Sequence, residues 1–211
     1  MNNNNVLTSN KKLGVRDKGR LVIMLFSVEQ PELYRNRKTY FSINVQVVSG
    51  PDDELFDIVC RWPGSAHDSR IFDCSGIRVL LEREHDRLGW LLADAGYAQR
   101  EYIFTPVNNP TTEAERRYNR AHRVTRSGVE RTIGRLKRRF PCLYYELHNS
   151  LQNTLRIITA CAVLYNIGIG AADPAPDEDE VDLEHLDVPE RPIRQETGAA
   201  IRRQFIQRHF M

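Results

Sequence analysis

Cysteine is scarce in this chain and poorly spaced for metal binding. Cys60, Cys74, Cys142 and Cys161 are scattered through 211 residues, and none pair at zinc-ligand spacing, which argues against a zinc finger. Scattered cysteines in a domain of this size fit reduced thiols in an intracellular protein. Long hydrophobic runs are missing as well. The most apolar stretch, residues 155–169, is interrupted by Arg156, Thr159 and Asn166. It is too short and too polar to cross a bilayer, so a buried helix is expected and no membrane partner. Residues 1–12 are mostly Asn and Lys without an apolar core, so no signal peptide is read there, only a polar, disordered start.

Charge of one sign is absent in one place and nearly so in another. Residues 173–187 carry eight Asp or Glu and no Lys or Arg, whereas residues 120–140 carry eight Arg or Lys and a single carboxylate, Glu130. The net charge of +2 hides this asymmetry. A local basic patch suffices to attract nucleic acid, and the acidic stretch reads as a solvated tail. Hydrophobic content of 41% and charged content of 27% are otherwise those of an ordinary globular chain.

What is present reads as a series of short strands followed by helices. Leu21 to Phe26 is strand-like but ambiguous. Residues 40–48 alternate, with Phe41, Ile43, Val45 and Val47 on one face and Ser42, Asn44 and Gln46 on the other, the pattern of a half-buried strand. Residues 49–53 form a turn, and Leu55 to Trp62 is a second strand paired antiparallel with the first. Pro63-Gly64-Ser65 ends it. A helix then buries Ile77, Leu80 and Leu81, a strand runs from Leu88 to Ala93, and a short one from Ile103 to Val107. Thr112 and Glu115 have the spacing of a capping box, opening a long helix in which Val129, Ile133, Leu136 and Phe140 recur at helical spacing until Pro141 stops it. Residues 150–169 form the apolar helix, and a last amphipathic helix runs from about Glu190 to Phe210. Antiparallel strands followed by alternating strands and helices predict an α/β fold, a mixed sheet flanked by helices. The ribonuclease H-like fold is one candidate with this order.

Three carboxylates stand where chemistry could use them. Glu130 shares a helix face with Arg123, Arg126 and Lys137. Carboxylates hold divalent cations and bases neutralise phosphates, so the pairing suits a metal-dependent nuclease; an ion pair with Arg126 or Arg131 on a solvated helix is the plain alternative. Gly134, one turn on, leaves space beside Glu130 at a cost of about 1 kcal/mol relative to Ala. A metal shell, a DNA strand, another backbone or ordinary helix packing would each account for it. Asp94 ends an apolar strand before the Ala95-Gly96 bend, where ligand sites gather in α/β sheets; it equally suits a turn Asp bonded to its own loop. Asp68 follows the third strand and fits a helix cap or a ligand. The neighbouring His67 fits a ligand, a phosphate contact or a surface residue. Basic and aromatic residues mix at Tyr34 to Lys38 and at Tyr118-Asn119 with His122, as phosphate contact and base stacking would use.

Read together, these segments resemble the Harbinger family of transposase-derived nucleases, with their DDE superfamily endonuclease domain. The matching stretches are Glu32 to Lys38, Phe41 to Gln46, Trp62 to Ser65 with His67-Asp68-Ser69, Asp94-Ala95-Gly96-Tyr97, Tyr118-Asn119 with His122, and Val129-Glu130-Arg131 with Gly134, Leu136-Lys137 and Arg139-Phe140. The 36 positions from Asp94 to Glu130 (130 − 94) look like the last spacing of a DDE site. The resemblance covers residues 30 to 168 and implies a ribonuclease H-like fold, a Mg²⁺ or Mn²⁺ site cutting or joining DNA strands, and a nuclear location. It assigns Asp94 and Glu130 to the second and third acidic positions and Asp68 to another near the metal. An ungapped extension from Tyr34 brings Asp17 to the first. There the apolar run follows the Asp instead of preceding it, Lys18 and Arg20 stand where the family has Gly and His, and Tyr165 stands where the family has His. Arg126, Arg131, Arg135, Lys137 and Arg138 are expected on phosphates. Family members also commonly carry an N-terminal helix-turn-helix region, so a truncated or alternatively assembled copy is expected, with a separate DNA-binding partner protein. The division is then residues 1–28, possessing at most a degraded first strand; 29–170, the endonuclease-like domain; and 171–211, an acidic Pro-containing linker with the last helix. The rival expectation is a catalytically inactive DNA- or protein-binding module of the same descent.

Overall fold

A computed structural model describes residues 20–24, 31–36, 39–145, 147–173 and 196–211. The expectations for Asp17, for the rest of residues 1–19 and for the acidic stretch 174–195 lie outside those residues.

The alternation of residues 40–48 does produce a strand, β2 (Ser42–Ser49), but it is buried along its whole length, not on one face. It is the middle strand of an antiparallel sheet, between β1 (Arg20–Met24) and β3 (Leu55–Pro63). Ile43, Val45 and Val47 face one core, with Val129, Ile133 and Leu136 of a long helix and Ile158 and Tyr165 of the helix after it. Val48, on the opposite face with Ser42, Asn44 and Gln46, joins a second core with Phe72, Leu81, Leu91 and Ile103. The polar face is therefore covered by protein, because the segment after β3 folds back over it. Asn44 Nδ2 donates to Ala66 O at 3.0 Å and to Asp68 Oδ1 at 2.8 Å.

Beyond β3 come α1 (Asp68–Asp73) and α2 (Gly76–Leu88). Ile77 and Leu81 are buried as expected, one helical turn apart, whereas Leu80 is exposed. Leu88 belongs to α2 and not to a strand, since Gly89, at φ 98°, ends the helix in a conformation that glycine adopts at little cost. This leaves β4 only Leu91–Leu92, paired in parallel with β5 (Ile103–Phe104). The described strands thus form two small sheets, an antiparallel one of three strands and a parallel one of two, where a single mixed sheet is predicted.

The capping box forms as the spacing predicts. Glu115 N donates to Thr112 Oγ1 and the Glu115 carboxylate accepts from Thr112 N, opening α3 (Glu113–Arg139). A 3-10 turn at Pro141–Leu143 follows, then α4 (Leu151–Gly170). Only one face of α4 is buried, through Thr154, Ile158, Cys161, Ala162 and Tyr165; Val163, Leu164 and Ile167 are exposed, so the expectation of a buried helix holds for half its surface. Asn166 bonds both backbone groups of Leu55, each at 2.8 Å, extending β3 as another strand would. Asp53, at φ 65° in the β2–β3 turn, accepts from Thr132 Oγ1 at 3.0 Å and pairs with Arg135, fastening the hairpin to α3. Finally α5 (Glu196–Phe210) lays Ile206 and Phe210 against Tyr118 and Ala121 of α3. No helix among the described residues is long and apolar enough to cross a membrane.

Candidate active site

Asp94 follows β4 by two residues. Ala93 N still donates to Phe104 O at 2.8 Å, so the backbone leading into Asp94 is held by β5. Asp94 Oδ1 accepts from Gly96 N at 2.9 Å, the local loop bond expected of a turn Asp. That bond orients the carboxylate and occupies one of its oxygens.

Glu130 lies on α3 beside buried Val129, with its own side chain 40% exposed. Its Oε1 pairs with Arg126 Nη2 at 3.0 Å, one turn earlier. This is the plain ion pair the sequence allows, worth about 0.3–0.5 kcal/mol at i,i+4. On the other side, a Cβ added at Gly134 would meet only Arg138 Nη1, at 3.4 Å. Among the described residues, close approach of another backbone therefore does not explain that glycine, and the space beside Glu130 is real.

His122 joins the elements that carry these two acids. It is buried on α3, and its Nε2 lies 3.1 Å from Phe104 O. Burial lowers its pKa to about 4, against an opposing pull from the carbonyls of Phe104 and Ala93. The ring is thus neutral at pH 7 and packs against the carbonyl just before Asp94. His122, Arg126 and Glu130 follow at four-residue steps on adjoining turns of α3, with about 12 Å of helix axis between the first and last. The sequence presents His122 only as part of a basic and aromatic cluster; its spacing to Glu130 was the available signal for this role.

Asp68 is the first residue of α1. The N-cap is His67, exposed and without a side-chain cap bond, so Asp68 is not the cap. Its Oδ1 is engaged by Asn44 from β2. Asn44 was legible only as a solvent-facing polar residue, because alternation does not reveal that a second layer covers the strand. Among the described residues no three His, Cys, Asp or Glu side chains converge on one point.

The model of the DDE superfamily endonuclease family matches residues 24–166. The chain belongs to that family. The match contains Asp68, Asp94 and Glu130 and leaves Asp17 outside. The chain is also 35% identical to Putative nuclease HARBI1 of Mus musculus over 178 residues, covering 77% of this chain and 51% of that protein. The proteins of the same name from Rattus norvegicus and Homo sapiens are each 34% identical over the same shares. This family member therefore spans about half the length of the curated relatives it matches, and the Harbinger resemblance of its motifs is borne out. No solved structure matches it.

The basic side chains of this family member are not equally available. Arg131 is exposed, with Nη1 3.2 Å from Ser127 Oγ. Arg120 and Arg123 are exposed too. Arg126 is turned to Glu130, and Arg135 to Asp53. Lys137 lies with Nζ 5.1 Å from the centre of the Tyr144 ring, and burial lowers its pKa. Arg138 is half-buried. The five predicted phosphate ligands thus share one helix but not one surface. As for a metal, the carboxylates of Asp94 and Glu130 suit a hard divalent cation, which takes oxygen ligands. Their donor chemistry would fit such an ion, whose coordination these two carboxylates alone would leave to be completed by a further carboxylate or by water.

Proposed function

We propose that this chain is a divalent-metal-dependent nuclease acting on DNA phosphodiester bonds, built on a ribonuclease H-like domain. The observation that carries the proposal is the tie at His122, which fastens the helix bearing Glu130 to the strand end bearing Asp94, inside a domain whose family is that of DDE endonucleases. The element order, three antiparallel strands and then helices alternating with a parallel strand pair, supports the ribonuclease H-like reading. Asp94 and Glu130 would hold Mg²⁺ or Mn²⁺, with Asp68, fixed by Asn44, and Asp17 as further carboxylates. Held by those carboxylates, such an ion would supply activation of the attacking water or hydroxyl and charge stabilisation at the leaving oxygen.

The chain's own residues position the DNA. Arg131, with Arg123 and Arg126 on the same helix, neutralises phosphates, while Arg135, Lys137 and Arg138 add positive field more than contact. Arg126 also releases Glu130 when a phosphate competes for its guanidinium. With DNA as substrate the place of action is the nucleus, and a separate DNA-binding protein would supply sequence choice.

Supercoiled plasmid incubated with Mg²⁺ or Mn²⁺ tests this. Wild type is expected to nick and Glu130→Gln to lose activity by about 100-fold or more, with both activities abolished by a chelator. The Arg126–Glu130 pair and the absence of a three-member ligand group among the described residues favour a second reading, an inactive DNA-binding module. Plasmid binding that ignores the metal, without nicking by either protein, would establish that reading instead.

A further inference from the structure

The family match stops at residue 166, and α5 begins 30 positions beyond it (196 − 166). Arg202 of that helix is half-buried. Its Nη1 lies 3.0 Å from each of three oxygens, Thr105 O, Thr105 Oγ1 and Pro106 O. Burial lowers the pKa of its guanidinium, so neutral oxygens hold a charge that water would hold more readily. Thr105 is a buried hub. Tyr118 OH of α3 donates to the same carbonyl at 2.9 Å, and Gln99 Oε1 accepts from Thr105 N at 3.0 Å and from Thr105 Oγ1 at 3.1 Å. The residue before it is Phe104, the last of β5. Phe104 O accepts from Ala93 N, next to Asp94, at 2.8 Å and lies 3.1 Å from His122 Nε2 of α3. Phe205, three residues after Arg202, sets its ring 5.1 Å from the Phe104 ring. Thus α5 grips the end of β5 by main chain and by ring, where β5 touches both elements that carry the proposed acids.

We propose that Arg202 is a positioning residue for the nuclease site, fixing the end of β5 and, through Phe104, both the strand end that carries Asp94 and the His122 turn of the helix that carries Glu130. The proposal rests on the nuclease reading for what is positioned. The contacts themselves stand without it. One carbonyl, Phe104 O, serves Ala93 N and His122 together, so its direction sets the seat of β4 and α3 at once. Arg202 holds the two peptide groups that follow, Thr105 and Pro106, and stops them from turning that carbonyl away. Their release lets the strand end move, and displacements near 1 Å are large for catalytic geometry. A lysine at this position keeps a cationic donor but has no planar fork to span several oxygens, so it restores part of the hold.

The test uses the whole chain with Arg202→Met, which keeps an apolar stem and removes the donors, and with Arg202→Lys. Hydrogen exchange read by mass spectrometry, without metal or DNA, follows the segment around Asp94. In Arg202→Met the amides of residues 91–97 are expected to exchange about tenfold faster while those of α4 keep their rates. Arg202→Lys should fall between this variant and wild type. In plasmid nicking the kcat of Arg202→Met is expected to fall roughly 10–100-fold with KM for DNA unchanged, and lysine should recover part of the loss. Should Arg202→Met fail to fold, Arg202→Lys against wild type is read by the same two measurements. Unchanged exchange at residues 91–97, faster exchange confined to α5 or spread evenly over the domain, or a rise in KM alone overturns the proposal. A wild type that nicks no plasmid, with residues 91–97 loosened in Arg202→Met, supports the positioning and overturns only the nuclease reading.

Discussion

Glu130 is held by little that the fold requires. Its ion pair with Arg126 is half-exposed and worth about 0.3–0.5 kcal/mol, so Glu130→Gln should move the melting temperature scarcely at all while abolishing nicking. Equal losses of stability and activity would instead mark a structural residue. Gly134 gives a sharper separation. The Cβ of Gly134→Ala meets only the flexible end of Arg138, at 3.4 Å, and alanine stabilises a helix interior by up to about 1 kcal/mol. Chemical denaturation should therefore show a more stable protein, yet if the space beside Glu130 admits a metal shell or a DNA strand, nicking should fall roughly tenfold or more. A stabler variant with full activity would mean that the space serves neither.

The elements meet at buried polar contacts, and these respond to pH. His122 joins α3 to β4 and β5 as a neutral ring, its pKa lowered from 6.5 to about 4. Above pH 6.5 the folded and unfolded forms are both neutral and the contribution is constant. As pH falls from 6.5 towards 4 the unfolded chain takes up the proton first, and stability is lost, by about 3 kcal/mol at most. Thermal unfolding measured over that range should show the decline in wild type and a flatter curve in His122→Gln. Parallel curves would place the responsible group elsewhere. Sequence periodicity located α3 well, through Thr112, Glu115, Val129, Ile133 and Leu136, because capping and apolar spacing are local properties. It misplaced Leu88, where a positive-φ glycine ends α2 one residue later, and Leu80, which lies on the exposed side of that helix.

At the scale of the molecule, α5 closes the domain from outside the stretch matched by the family. Arg202 Nη1 donates to Thr105 O and Pro106 O, both at 3.0 Å, and Phe205 stacks near Trp90, Phe104 and Tyr118. Its close seat depends on Gly198, where a Cβ would come within 2.8 Å of Arg100 Cα and Gln99 O. Gly198→Ala should thus destabilise the protein by about 1–3 kcal/mol, against the gain that helix propensity alone would give; urea denaturation checks the sign. By itself the sequence determined the long helix α3 and its capping box, the apolar helix α4, the hairpin, the charge asymmetry and the family, since each is written in neighbouring residues or in the spacing of short motifs. Only the tertiary structure decided that β2 is buried on both faces, that Asn44 holds Asp68, that Arg135 belongs to Asp53 and that His122 couples the carriers of Asp94 and Glu130. Those contacts join residues far apart in the chain, and no local pattern encodes which layer will cover which face.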